Sequence, residues 1–128
     1  MLTNITVLDL STVGPAARAA RMLADYGARV IKVGAPVREG ADALQIEPPF
    51  YAYGGHRGME RVRLDLKSDE GKAAFLRLAA DADVVIESFR PGVVDRLGVG
   101  YEAVTAVNPG VVYCATSGYG QTGPKSQW

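Results

Sequence analysis

The segment of this sequence best suited to ligand chemistry begins where an apolar run, residues 84–86, ends at Glu87. A turn with proline and glycine and the start of a helix follow, and together they carry Arg90 and Arg96. Ligands of open α/β sheets bind outside the carboxyl ends of the strands, so this charged turn would lie at a binding edge. Two arginines there suit an anionic ligand, in particular one with phosphates. The alternative is an ordinary strand–turn–helix joint with solvated arginines.

Other reactive side chains are few. His56 is the only histidine, so no histidine-rich metal site is expected, and we expect no metal cofactor. His56 and Arg57 could contact an anion, although a pair of ordinary surface-loop residues is the simpler interpretation. Cys114, the only cysteine, lies in an apolar run, and we expect a small buried hydrophobic residue rather than a nucleophile. Asp9 is expected to fix the turn after the first strand rather than to react.

The composition and the balance of charges limit the classes of function that the protein could have. The chain has 128 residues, 48% apolar and 22% charged, with 14 basic and 14 acidic side chains, which is ordinary for one soluble globular domain. The balance argues against nucleic acid or a membrane surface as a partner. No apolar stretch approaches the ~20 residues of a membrane span, and the N-terminus does not resemble a signal peptide. A single cysteine excludes an internal disulfide, and we expect a cytoplasmic protein.

Apolar runs alternate with helical patterns along the chain. This alternation predicts an α/β fold, a parallel sheet with helices on its faces. Gly27 is a suitable end for the first helix, and Ser68 is a suitable cap for the second. The interval 34–60 breaks the rhythm with prolines, glycines and aromatic residues, as functional or mobile insertions do. The predicted strands cover residues 5–10, 29–33, 62–66, 83–87 and 111–116, and the predicted helices cover 16–26, the residues after 68, and 101–107.

Several of these segments, in this order, resemble one known family. They are 7–10 (VLDL) followed by Gly14 and Pro15, 23–33 (LADYGARVIKV), 63–71 (RLDLKSDEG), 82–93 (ADVVIESFRPGV), 101–109, and 118–124 (GYGQTGP). Together they are similar to the N-terminal part of the family III CoA-transferases, the group that includes formyl-CoA transferase, carnitine CoA-transferase and α-methylacyl-CoA racemase. The resemblance covers nearly the whole chain.

The resemblance implies a Rossmann-like parallel sheet with helices on both faces, with residues 1–128 as the N-terminal, CoA-binding part of the large domain. It implies transfer of CoA between an acyl-CoA thioester and a carboxylic acid, with coenzyme A as the bound substrate. Relatives form interlocked homodimers, and some are heteromeric. Lys67 and Arg96 can neutralise phosphates, Phe89 offers an apolar surface, and Tyr119 is similar to a residue at the acyl end. The positions that resemble CoA contacts are Gly14, Pro15, Leu64, Lys67, Ser88, Phe89, Val93, Arg96, Leu97 and Tyr119.

The sequence departs from the family pattern in three places. Gly34 and Ala35 stand where an acid and an arginine usually follow the second strand, and Arg38 could substitute for that arginine. Ser88 replaces an asparagine of the CoA loop. The stretch 56–60 (HRGME) carries less positive charge than its counterpart in the family.

The catalytic residues of the family are expected beyond Trp128. Transferases use an aspartate nucleophile, and the racemases use a His/Asp pair to move a proton. No aspartate of this sequence matches the nucleophile motif. We therefore expect no catalytic residue in residues 1–128, and a fragment, a truncated reading frame or one chain of a split enzyme are all open. A racemase fragment, a non-catalytic CoA-binding module and a subunit of a heteromeric enzyme remain alternatives.

Overall fold

A single parallel sheet organises the protein, for which a computed structural model describes residues 1–11, 14–36 and 57–128. Its strand order is β3-β2-β1-β4-β5, and every neighbouring pair is parallel, as predicted. The chain reverses direction across the sheet between β1 and β4, which makes this pair the topological switch point of the doubly wound fold. The strands are β1 Thr6–Asp9, β2 Arg29–Gly34, β3 Glu60–Arg63, β4 Val84–Glu87 and β5 Val112–Ala115.

Helices lie against the sheet, and local sequence explains their ends. The chain turns after α1 at Gly27, whose φ of 99° is a left-handed conformation that favours glycine. Ser68 caps α2, because its side chain accepts a hydrogen bond from the backbone N–H of Gly71, and Asp69 and Glu70 follow in the first turn. In the described residues, no helix combines the length and apolar character needed to cross a bilayer. The helices are α1 Gly14–Asp25, α2 Asp69–Ala80, α3 Val93–Leu97 and α4 Tyr101–Val107.

Two apolar cores cover the two faces of the sheet, because successive side chains of a strand point to opposite faces. Val7 and Val30 pack with Ala16 and Ala20 of α1 in one core. The other core joins Leu8, Ile31 and Val85 to Phe75 of α2, Val94 of α3 and Val104 of α4. The predicted arrangement, with helices on both faces, is therefore confirmed.

Two predictions are wrong. The third strand covers Glu60–Arg63 rather than 62–66, because pairing with β2 ends at Gly34 and the chain then turns towards α2.

Cys114 is exposed rather than buried. It lies on edge strand β5, on the same face as Val112 and the α1 core, whereas the main contacts of α1 with the sheet are to β1, β2 and β4. The interval 37–56, with Arg38 and His56, lies outside the described residues.

Candidate functional site

A cleft of about 310 Å³ opens at the carboxyl ends of the four strands β1 to β4. Its volume is at the lower end of the ~300–1,000 Å³ typical of ligand sites. The walls are mainly aliphatic and aromatic, and Asp65, Lys67 and Ser88 supply the polar side chains. The lining residues are Leu10, Val33, Gly34, Ala35, Leu64, Asp65, Leu66, Lys67, Ser88, Phe89 and Leu97.

The β3–α2 turn forms one wall, and hydrogen bonds within the turn fix its shape. The backbone N–H of Lys67 donates to the Asp65 carboxylate at 3.0 Å. Ser68 Oγ donates to the Asp65 carbonyl at 2.8 Å and accepts from Gly71 N at 2.9 Å. Gly71 approaches the turn so closely that a Cβ there would lie 1.9 Å from the Asp65 carbonyl oxygen. Leu64 and Lys67 are therefore presented to the cleft by a rigid turn, with the Lys67 side chain exposed.

The β4–α3 turn forms the opposite wall, and a buried acid holds it. Glu87 is only 2% exposed, and its Oε2 accepts a hydrogen bond from the backbone N–H of Phe89 at 2.8 Å. Burial raises the pKa of the Glu87 carboxyl group, the Phe89 hydrogen bond opposes that rise, and the charge of Asp95 adds to it. Gly92 precedes α3 with a φ of 87°. This geometry places the partly buried Phe89 ring against the core below the cleft.

The β1–α1 connection begins with a third acid, Asp9, which is fully buried. Its carboxylate accepts hydrogen bonds from the backbone N–H of Ser11 at 2.8 Å and from the Ser11 hydroxyl. Lys32 Nζ lies 2.9 Å from Asp9 Oδ2 and also donates to the Ser11 carbonyl. Asp9 thus fixes the first turn, as expected. Sequence reasoning missed Lys32, although a lysine inside the apolar run 30–33 of a covered strand indicates a buried partner.

The structure brings together half of the predicted site residues. Leu64, Lys67, Ser88, Phe89 and Leu97 all line the cleft. The cleft also uses residues that sequence reasoning did not assign to a site, namely Leu10, Val33, Asp65 and Leu66, and it includes Gly34 and Ala35, which together form one of the three departures from the family pattern. Their position in the chain could have identified these cleft residues, because each lies at or just after the carboxyl end of a strand.

The other predicted residues lie around the cleft without lining it. Gly14 and Pro15 are exposed at the start of α1. Val93 is partly buried and Arg96 is exposed, both on α3, and the Arg96 guanidinium lies over Gly92, where a Cβ would be 3.3 Å from its nitrogen. Tyr119 is 58% exposed and lines a smaller pocket of about 110 Å³.

The turn between β4 and α3 is shared by the two cavities. Ser88 and Phe89 line both the 310 Å³ cleft and the 110 Å³ pocket that contains Tyr119. Among the described residues, none that lines the cleft is a histidine or a cysteine, and no cluster of side chains could hold a metal ion. The apolar side chains of the cleft, together with the ammonium group of Lys67, suit a ligand that has apolar and anionic parts.

The fold and the cleft define a doubly wound α/β protein with a ligand site at the carboxyl edge of its sheet. The family model for CoA-transferase family III matches residues 2–128. The chain belongs to that family, and the resemblance seen in the sequence is confirmed.

Individual relatives agree with this assignment. The acetyl-CoA:oxalate CoA-transferase of Acetobacter aceti is 39% identical over 130 residues, which cover 98% of this chain and 33% of that protein. The alpha subunit of a succinyl-CoA–L-malate CoA-transferase from Chloroflexus aurantiacus is 36% identical, over 96% of this chain and 30% of that subunit. A crystal structure of the Mycobacterium tuberculosis protein Rv3272 matches with a TM-score of 0.86 at 39% identity, covering 100% of this chain and 36% of that one. The chain spans about a third of the length of these relatives.

Proposed function

We propose that residues 1–128 supply part of the CoA site of an enzyme that moves CoA between an acyl-CoA thioester and a carboxylic acid. Family membership supports the reaction class, since the relatives named above are CoA-transferases. The observation that carries the site is the cleft at the ends of β1 to β4, because five residues that resemble CoA contacts line it together. On this proposal residues 1–128 are the CoA-binding, N-terminal part of the large domain.

The chemistry of the cleft suits CoA. Phe89 and the leucines around it offer apolar surface to the adenine or the pantetheine chain, and CoA is large enough to place only a part of itself in 310 Å³. Lys67 lies at the rim, and the Arg96 guanidinium on α3 lies over Gly92 of the β4–α3 turn, so both can meet phosphates that stay in solvent. The aspartate nucleophile implied by the resemblance is proposed to lie outside residues 1–128.

Calorimetric titration with CoA tests the site. Lys67→Ala and Arg96→Ala should each weaken binding by about 1–3 kcal/mol, the usual loss for a hydrogen bond to a charged group. Arg77→Ala is the matched control, because Arg77 is equally an exposed arginine but lies in the last turn of α2 and not on the helix that follows the β4–α3 turn. Arg38→Ala should matter less than Arg96→Ala. An Arg96→Ala protein that binds CoA as the wild type does would contradict the role of Arg96, and a wild-type chain that does not bind CoA would contradict the site.

A transfer assay separates the proposed enzyme from its alternatives. Residues 1–128 alone should not move CoA from one acid to another if the nucleophile lies elsewhere. Transfer by the purified 128-residue chain would overturn that placement. CoA binding without transfer would fit a non-catalytic CoA-binding module equally well. The coding sequence after Trp128 would distinguish such a module from the CoA-binding part of an enzyme.

A heteromeric enzyme is a second candidate, and one observation favours it. The Chloroflexus aurantiacus relative is named as an alpha subunit, so some members of the family work with a second chain. We otherwise propose a homodimer in the cytoplasm, where the reducing environment would keep the exposed Cys114 as a free thiol. Purification of the natural complex from its host, followed by mass measurement, tests both: one kind of chain supports the homodimer, and two kinds support the heteromer.

A further inference from the structure

Glu87, just before the turn that forms one wall of the cleft, is unusual because acids are seldom fully buried without a partner. It is 2% exposed at the end of β4, and no cation of the described residues lies within ion-pair distance of it. The groups that face it electrostatically are Asp95 of α3 and Tyr113 of β5, and neither can neutralise a carboxylate. An apolar residue of similar size would avoid the desolvation cost of an acid in this place. The acid therefore needs an explanation other than packing.

The hydrogen bond made by Glu87 provides one. Its Oε2 accepts from the backbone N–H of Phe89, two residues along the chain, at 2.8 Å. Asp9 and Asp65 hold the Ser11 and Lys67 N–H groups in the same way, so the turns after β1, β3 and β4 share one device. Only Glu87 combines burial with the lack of a cationic partner among the described residues, since Lys32 pairs with Asp9 and Asp65 is exposed.

We propose that Glu87 is a positioning residue for ligand binding. Its carboxyl group holds the Phe89 N–H, and this hydrogen bond fixes the Ser88–Phe89 turn that forms a wall of both cavities. Without the acceptor, the turn loses the constraint that aims the Phe89 ring, while the sheet and its cores are unchanged. The assignment rests on the proposed function in one respect, because the ligand is taken to be CoA.

Two substitutions separate positioning from packing. Glu87→Gln keeps a carbonyl oxygen that can accept the Phe89 N–H, whereas Glu87→Met fills the same space and removes the acceptor. We expect Glu87→Gln to bind CoA within about twofold of the wild type. We expect Glu87→Met to bind roughly tenfold more weakly, the loss of about 1.4 kcal/mol expected for one hydrogen bond, with a thermal midpoint no lower than that of the wild type.

Amide hydrogen exchange in the ligand-free protein gives a readout that does not depend on CoA. The Phe89 amide should lose protection in Glu87→Met and keep it in Glu87→Gln. The Leu10 amide, which donates to the Ile86 carbonyl at 2.8 Å, is the internal control and should be protected in every variant. If Glu87→Met does not fold, the Phe89 amide shift in the wild type should still follow the titration of Glu87 and should stop doing so in Glu87→Gln.

Three results would overturn the proposal. They are wild-type CoA affinity in Glu87→Met, an equal loss of affinity in Gln and Met variants, and a Phe89 amide that is indifferent to residue 87. A wild-type chain that does not bind CoA would instead overturn the proposed function. The exchange experiment would still decide, in that event, whether Glu87 holds the turn.

Discussion

Two buried acids, Asp9 and Glu87, end the neighbouring strands β1 and β4, and they differ in whether a cation compensates their charge. Asp9 meets the ammonium group of Lys32, so its charge is compensated where it is buried. Burial raises the pKa of Glu87, the like charge of Asp95 adds to that rise, and the hydrogen bond from the Phe89 N–H opposes it. The buried charge of Asp9 therefore depends on its cationic partner, whereas the buried acid Glu87 makes the stability of the protein depend on pH.

The raised pKa of Glu87 predicts that the protein gains stability as the solution becomes mildly acidic. The folded state binds this proton more tightly than the unfolded state, whose pKa is near 4.5. The contribution is therefore largest at low pH and is lost as pH rises through the folded pKa. Thermal midpoints at pH 8 and about pH 5 should show a smaller difference in Glu87→Gln than in the wild type. The same pH dependence in both proteins would contradict the assignment to Glu87.

Loss of the Lys32 ammonium should be far more damaging than loss of a surface cation. Lys32→Met leaves the buried Asp9 carboxylate without its cation, and breaking a buried pair in this way costs about 3–5 kcal/mol. Arg29→Met is a matched control on the same strand, because Arg29 pairs with Glu60 in solvent. Urea unfolding should show a large drop in the midpoint for Lys32→Met and little change for Arg29→Met. Equal midpoints for the two variants would contradict the importance of burial.

The start of helix α2 is the element most sensitive to a small addition of volume. A Cβ at Gly71 would lie 1.9 Å from the Asp65 carbonyl oxygen, so Gly71→Ala must displace the β3–α2 turn that forms a wall of the cleft. We expect a loss of at least about 1–3 kcal/mol, as for overpacking, and weaker CoA binding. Gly110→Ala is the control, since its Cβ would meet nothing closer than 3.8 Å. A Gly71→Ala protein with wild-type stability would show that the turn yields easily.

Sequence patterns predicted the elements well wherever a local signal exists. The acceptor at Ser68 and the acids after it mark the start of α2, and the structure confirms both. The third strand was misplaced because apolar alternation continues through Leu64 and Leu66, which pack against the core after sheet pairing has ended. Alternation reports which side chains are covered, and only the neighbouring strand decides where backbone pairing stops.

The site was half predictable for a related reason. Resemblance identified positions such as Lys67 and Phe89, which line the cleft. Lys32 acts through a partner that sequence order does not reveal, since it meets an acid 23 residues earlier in the chain. The burial of Cys114 was predicted wrongly because an apolar run indicates that some element packs on the strand. Which strands the helices actually pack on depends on the arrangement of the whole sheet.

At the scale of the whole molecule, the two edges of the sheet differ. The β3 edge carries the charged side chains of Glu60, Arg61 and Arg63, whereas the β5 edge exposes Val112, 61% accessible, and Cys114. Charged edges discourage pairing with other strands and apolar edges invite it. The chain by itself is therefore expected to associate through β5.

Substitution at this edge tests the expectation. Val112→Lys should reduce concentration-dependent association, measured by sedimentation or light scattering under reducing conditions. Met22→Lys is the matched control, because Met22 is 53% exposed on α1, away from either edge. Clean monomeric behaviour of the wild type at high concentration, or equal effects of the two substitutions, would contradict a role for β5.

The unequal edges also set a limit on assembly. If two copies met along β5 about a twofold axis, each outer margin of the joined sheet would be a β3 edge with its charges. Such a pair would expose no further apolar edge strand to which another copy could pair, so association would stop at two copies. Association through β5 would thus be self-terminating: it would give a closed pair of molecules and not an open-ended fibre.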